Sequence, residues 1–181
     1  MIYAIECSFN QEADQYIRKL WDELNNREIS NFMINSNSTP HIAFAVFDEL
    51  NMEIVEDILN DFTSSQPKIE LEVSSIGTFP TTEGVVFLAP KVTSELLDAH
   101  KKLHEALQAS SLYKKHWDYY QPEHWIPHCT MAINVSEAET FKALKYLKSE
   151  FNPLKITLER MIVVEYENEK IVNEPLSFNL K

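Results

Sequence analysis

Two histidines stand in segments that echo one another. Pro40-His41-Ile42-Ala43-Phe44-Ala45-Val46 and Pro127-His128-Cys129-Thr130-Met131-Ala132-Ile133 share Pro, His and a later Ala at the same offsets. Two imidazoles facing one space suit cleavage of a phosphate ester, because one must accept a proton while the other donates one. An ordinary histidine pKa of about 6.5 lets one ring be neutral and the other charged near neutral pH. His41 and His128 are therefore the candidate catalytic pair, with the order of acid and base left open. Side chains alternate along a strand, so Thr130 shares a face with His128, and its hydroxyl can donate to a phosphate oxygen on which charge builds. The same alternation predicts that His128, Thr130 and Ala132 face a ligand while Cys129, Met131 and Ile133 pack against helices. His41, Ala43 and Ala45 are placed likewise, the alanines leaving room for a ligand. These steps need no metal and no cofactor, and none is expected.

Other residues of chemical interest read differently. Cys129 adjoins His128, but neighbours on a strand point to opposite faces, so it reads as a small core residue and not as a nucleophile. The stretch Tyr113 to Trp125 carries Lys114, Lys115, His116, Trp117, Tyr119, Tyr120 and His124 and leads directly into the second motif. Its aromatic rings, Trp117, Tyr119, Tyr120 and Trp125, are candidates for stacking on a nucleobase; alternatively, Trp117 and Trp125 anchor a long loop to the core. His100 and His104 are four apart on a helical pattern, a spacing that can present two rings to zinc, with His116 and His124 to complete a site. The continuing stripe Leu96, His100, Leu103, Leu107 favours hydrogen-bonded histidines at the edge of the core.

The 181 residues are 44% hydrophobic and 24% charged, which fits one globular domain with a real core. With 2 glycines, Gly77 and Gly84, the chain cannot build a glycine-rich phosphate loop, so a phosphate must be held by side chains. A net charge of -12 argues against tight binding along a long nucleic acid, whose affinity comes from many Lys and Arg contacts; a small nucleotide or a strand terminus fits better. The 2 cysteines read as thiols of a reducing compartment. The N-terminus lacks the basic and apolar regions of a signal peptide, and no apolar run is long enough for a membrane span. A cytoplasmic location is therefore expected, and the oligomeric state is not readable.

The elements that must position the histidines are legible from periodicity. A strand is predicted over residues 2 to 9, then a helix from Asn10 with Ala13, Ile17, Leu20 and Leu24. After a loop from Ser30 to Thr39 come a strand over 41 to 47, a helix with Ile54, Ile58 and Phe62, and a strand within Lys68 to Phe79. Beyond the break at Pro80 to Glu83 the order restarts. It runs through a strand Val85 to Ala89, a helix with Leu96, Leu103 and Leu107, a strand over 128 to 134, and a helix capped by Ser136 and Glu139 that carries Phe141, Leu144 and Leu147. A strand from Ile156 to Tyr166 and a last antiparallel strand near Leu176 to Leu180 complete it. Each half reads strand, helix, strand, helix, strand, which suggests an internal duplication with lobes near 1–80 and 84–181.

The paired segments resemble the His-x-Thr/Ser-x motifs of the two-histidine phosphoesterase superfamily, which includes RNA 2',3'-cyclic phosphodiesterases and 2'-5' RNA ligase-like proteins. The resemblance implies a bilobal α+β fold, with two antiparallel-rich sheets flanking a central cleft and helices outside. It also implies metal-independent hydrolysis of 2',3'-cyclic phosphates or related 2',5'-linked RNA ends, with His41 and His128 as acid and base and Thr130 on the phosphate. One position departs from the pattern: Ala43 stands where the family places Thr or Ser. Ala43 keeps a second reading open, a module that binds a nucleotide or RNA end with little or no turnover.

Overall fold

The apolar run at the N-terminus forms β1 (Ile2–Phe9), and Asn10 then starts α1 (Gln11–Asn26). The Asn10 side chain does not cap that helix; its oxygen accepts from the Thr157 amide, tying the turn to a distant strand. The computed structural model describes residues 1–110 and 116–181, so Tyr113, Lys114 and Lys115 lie outside the described residues. The remaining elements are α2 (Phe32–Asn35), β2 (His41–Phe47), α3 (Met52–Ser65), β3 (Ile69–Thr78), β4 (Gly84–Pro90), α4 (Ser94–Gln108), a 3-10 turn at Asp118–Tyr120, β5 (Cys129–Val135), α5 (Glu137–Glu150), β6 (Leu154–Glu167) and β7 (Lys170–Asn179).

This order matches the expected succession, with local differences. The stretch read as a loop before His41 contains the short α2. The buried stripe of α3 is Val55, Leu59 and Phe62, so Ile54 and Ile58 lie at its margin. On α5 the capping box of Ser136 and Glu139 is formed, but Phe141 is 64% exposed, and Ala143, Tyr146 and Leu147 face the core instead. At 3.6 residues per turn, Ala143 and Leu147 share a face that Phe141 does not.

The strands form one seven-stranded sheet in the order β2-β1-β6-β3-β4-β5, with β7 also on β6, and all pairs among the described strands are antiparallel. The fold is α+β, one large sheet with flanking helices, rather than the expected two separate sheets. The joining element is β6. Its first residues, Leu154 to Leu158, pair with β3, while Leu158 to Tyr166 pair with β1. At 14 residues it is long enough to serve both halves of the sheet. It also interleaves the two halves of the sequence, since β6 lies between β1 and β3.

One face of the sheet carries the main core, where Ile5, Cys7, Ile42, Met131, Met161 and Val163 meet Leu20, Leu59, Leu103 and Leu147 of the helices. Each such aliphatic side chain contributes about 1.5–3 kcal/mol by leaving water. The opposite face of β1, β2 and β6 carries a smaller apolar cluster, Ala4, Val46, Ile162 and Val164, against which Trp117, Tyr120 and Tyr166 pack. The candidate site lies on this second face.

Candidate active site

β2 and β5 end the sheet path on opposite sides, yet their first residues meet: the His41 backbone lies against the Cys129 thiol. The two motifs are therefore brought together, as the proposed chemistry requires. Their local geometry is the same. His41 Nδ1 lies 2.6 Å from the carbonyl of Thr39, and His128 Nδ1 lies 2.7 Å from the carbonyl of Ile126, two residues back in each case. A carbonyl can only accept, so Nδ1 carries hydrogen in both rings and Nε2 is the nitrogen left to a ligand. Among the described residues, neither Nε2 has a hydrogen-bond partner.

The match continues along each strand. Trp125 Nε1 donates to the Ala43 carbonyl at 3.0 Å, and Trp21 Nε1 donates to the Thr130 carbonyl at 3.1 Å, so the residue two past each histidine is held by an indole. Strict alternation then breaks. The register shifts opposite Phe44, where Glu6 pairs with Ala43 and Ile5 with Ala45, and again opposite Met131, where Phe87 pairs with Thr130 and Val86 with Ala132. Each bulge inserts one residue and reverses the facing of the residues beyond it. Ala45 and Ala132, expected beside the ligand, are buried in the main core, while Ile133, expected in the core, turns toward the cavity. The periodicity of the sequence gives no sign of these bulges.

A cavity of about 520 Å³ opens beside His128 and Thr130. Trp117, Tyr119, Tyr120 and Trp125 all line it, with Phe79, Val85 and Ile126. The anchoring reading of the aromatic loop is seen directly, and the same rings line the cavity. Trp117 is anchored by its Nε1 to Asp48 at 2.9 Å, and Trp125 is stacked on His100 with ring centroids 3.6 Å apart, whereas Tyr119 stands 80% exposed at the rim. His128 packs against Phe79 and Phe87, with centroids 5.0 and 5.3 Å away. Gly77 makes this possible, because a Cβ there would stand 2.5 Å from the Phe87 ring. Burial holds the His128 pKa below its ordinary value; the Ile126 carbonyl opposes that shift, and the nearby His41 adds to it. His41 is outside the cavity lining and stands beside it, its Nδ1 3.3 Å from Oε2 of the buried Glu6.

Glu6 is a site residue that the sequence reading missed. The signal was present: in β1, Ala4, Glu6 and Ser8 share one face by alternation, and a carboxylate on a strand otherwise apolar needs a partner. Phe79, Val85 and Ile126 were not legible, since nothing in an aromatic or aliphatic residue distinguishes a cavity wall from a core.

His100 and His104 do not hold a metal in this geometry. Both present Nε2 to the Phe44 carbonyl, at 3.0 and 2.8 Å, and both are buried. Among the described residues no three His, Cys, Asp or Glu side chains converge as a metal site. The hydrogen-bonded reading of the helix is the one the structure shows. Cys129 is likewise a core residue, its thiol pushed up to about 12 by burial.

Burial lowers His100 to about 3 and His116 to about 4, and lowers His104 as well. The unfolded chain, with rings near 6.5, binds protons that the native state refuses, so stability falls as pH drops from 6.5 toward 4. The expected loss is at most about 1.4 kcal/mol per pH unit for each of His100 and His116, measured as a lower urea midpoint at pH 5 than at pH 7.

Comparison with known proteins agrees with this architecture. The model of the 2'-5' RNA ligase superfamily matches residues 11–170. Escherichia coli LigT complexed with 3'-AMP is 14% identical and superposes with a TM-score of 0.63, covering 98% of this chain and 97% of that one. A Thermus thermophilus protein, TT0787, is 15% identical with a TM-score of 0.62, over 99% and 98% of the two chains. No curated protein matches the sequence. With two histidine motifs whose first residues meet and a family match over residues 11–170, the chain belongs to the 2'-5' RNA ligase superfamily of two-histidine phosphoesterases.

Proposed function

We propose that the protein is a metal-independent phosphodiesterase acting on 2',3'-cyclic phosphates or related 2',5'-linked nucleotide and RNA-end substrates. The observation that carries this reading is the equivalence of the two imidazoles, each with Nδ1 held by the carbonyl two residues back and Nε2 left to a ligand. One Nε2 takes a proton from the attacking water, and the other gives a proton to the leaving oxygen. Thr130 donates its hydroxyl to a non-bridging oxygen, and the aromatic cavity takes the base, with Tyr119, Trp117 and Tyr120 as the stacking surface. The fold supports a small nucleotide ligand by analogy: structures of E. coli LigT carry 3'-AMP, NADP+, ATP or phosphate.

A second reading, a nucleotide-binding module without turnover, is favoured by Ala43, which offers no hydroxyl in the first motif, and by the absence of Lys and Arg from the described cavity lining. Hydrolysis of 2',3'-cyclic nucleotides in EDTA separates the two. Turnover under these conditions is the expected result; binding without turnover would establish the second reading.

A further inference from the structure

The two motifs share their Pro-His start and the backbone hold on Nδ1 but differ in what stands behind each ring. Behind His41 is Glu6, 1% exposed, whose Oε2 lies 3.3 Å from His41 Nδ1 and whose Oε1 accepts from the Tyr166 hydroxyl at 2.7 Å. Behind His128 there is only the Ile126 carbonyl among the described residues, with Phe79 and Phe87 at its sides. A carboxylate removed from water is costly unless a cation or donors face it. The titratable groups facing Glu6 and His41 are Tyr166 of β6, Tyr120 of the 3-10 turn, Glu174 of β7, Cys129 of β5 and His128 just before it. Tyr120 and Glu174 bring no positive charge; burial raises the Glu6 pKa, and the His41 ring, 3.3 Å from Oε2, is the facing group that opposes that shift and favours the carboxylate.

We infer that Glu6, supported by Tyr166, is a positioning residue that makes His41 the proton donor and leaves His128 the proton acceptor. The inference rests on the phosphodiesterase reading above. As water oxygen bonds to phosphorus, His128 Nε2 takes its proton. The P–O bond to the leaving ribose oxygen breaks with its electron pair on that oxygen, and His41 Nε2–H protonates it. One water is consumed, and one proton has moved from His41 to His128, to be redistributed through solvent.

Glu6→Gln keeps the shape and removes the charge. The expected result is a fall in kcat of about 10- to 100-fold, as for other partners that orient a functional histidine. KM should change little, and the alkaline limb of the kcat–pH profile should move acidward by about one pH unit while the acid limb stays. Glu6→Asp should recover part of the loss. An unchanged kcat and alkaline limb would overturn the inference, as would a loss with both limbs in place, which marks a carboxylate that only holds the fold. Histidine 15N NMR supplies an arm independent of turnover. His128 should be the first of the two rings to lose its proton as pH rises, and Glu6→Gln should narrow the gap; the reverse order overturns the inference. An inactive wild type with the expected order would instead overturn the phosphodiesterase reading while the pairing stands.

Discussion

His41→Ala and His128→Ala are each expected to lower kcat on a 2',3'-cyclic nucleotide by about 10²- to 10⁴-fold, the usual contribution of a placed acid or base. Both rings should matter comparably, because each is held the same way and the proposed mechanism asks one proton transfer of each. The double variant should fall little below either single one, since residues that act as a unit are not additive. Both side chains stand at strand beginnings outside the main core, so an unchanged thermal midpoint should accompany the loss in His128→Ala, whereas His41→Ala leaves the buried Glu6 without its facing imidazole and should lower the midpoint as well. The wild-type profile carries a further expectation. Burial among Phe79 and Phe87 holds His128 below the ordinary 6.5, so a ring acting as base stays neutral in mildly acid solution. The acid limb of kcat should therefore lie below pH 6.5 and should vanish with His128. An acid limb above 6.5, or single variants that retain wild-type turnover, would contradict the proposed roles.

Thr130→Val should cost about 10²- to 10³-fold in kcat, the range for loss of one donor to developing charge. Valine keeps the branched shape against Phe87, the cross-strand partner of Thr130, so the packing change is small and the missing hydroxyl dominates. This variant should be more damaging here than in a chain with two such hydroxyls, because Ala43 leaves Thr130 as the one hydroxyl the motifs provide. Ala43→Thr is the reciprocal check. Its backbone carbonyl stays on Trp125, and the new hydroxyl lies on the face shared with Glu6, its cross-strand partner. A rise in kcat is the expected outcome. Kinetics and a thermal midpoint for both variants decide whether the hydroxyl acts on the substrate or on the fold.

The sequence by itself determined most of the elements and the family resemblance. Alternation and helical periodicity are local, so β1, α1, β2 and the capping box of α5 could be read from neighbouring residues, and the repeated Pro-His segments singled out the two histidines proposed as a pair. Tertiary structure decided what depends on distant partners. That one long β6 joins both halves of the sheet comes from its pairing with β3 and β1, which no local pattern encodes. The bulges at Phe44 and Met131 send Ala45 and Ala132 to the core because the partner strand is one residue short there, a relation between strands and not a property of either. The choice between zinc ligand and core edge for His100 and His104 waited on the Phe44 carbonyl. The difference between His41 and His128 lies in the same class: equal motifs acquire unequal surroundings only when β1 brings Glu6 behind one ring and β4 brings Phe87 beside the other.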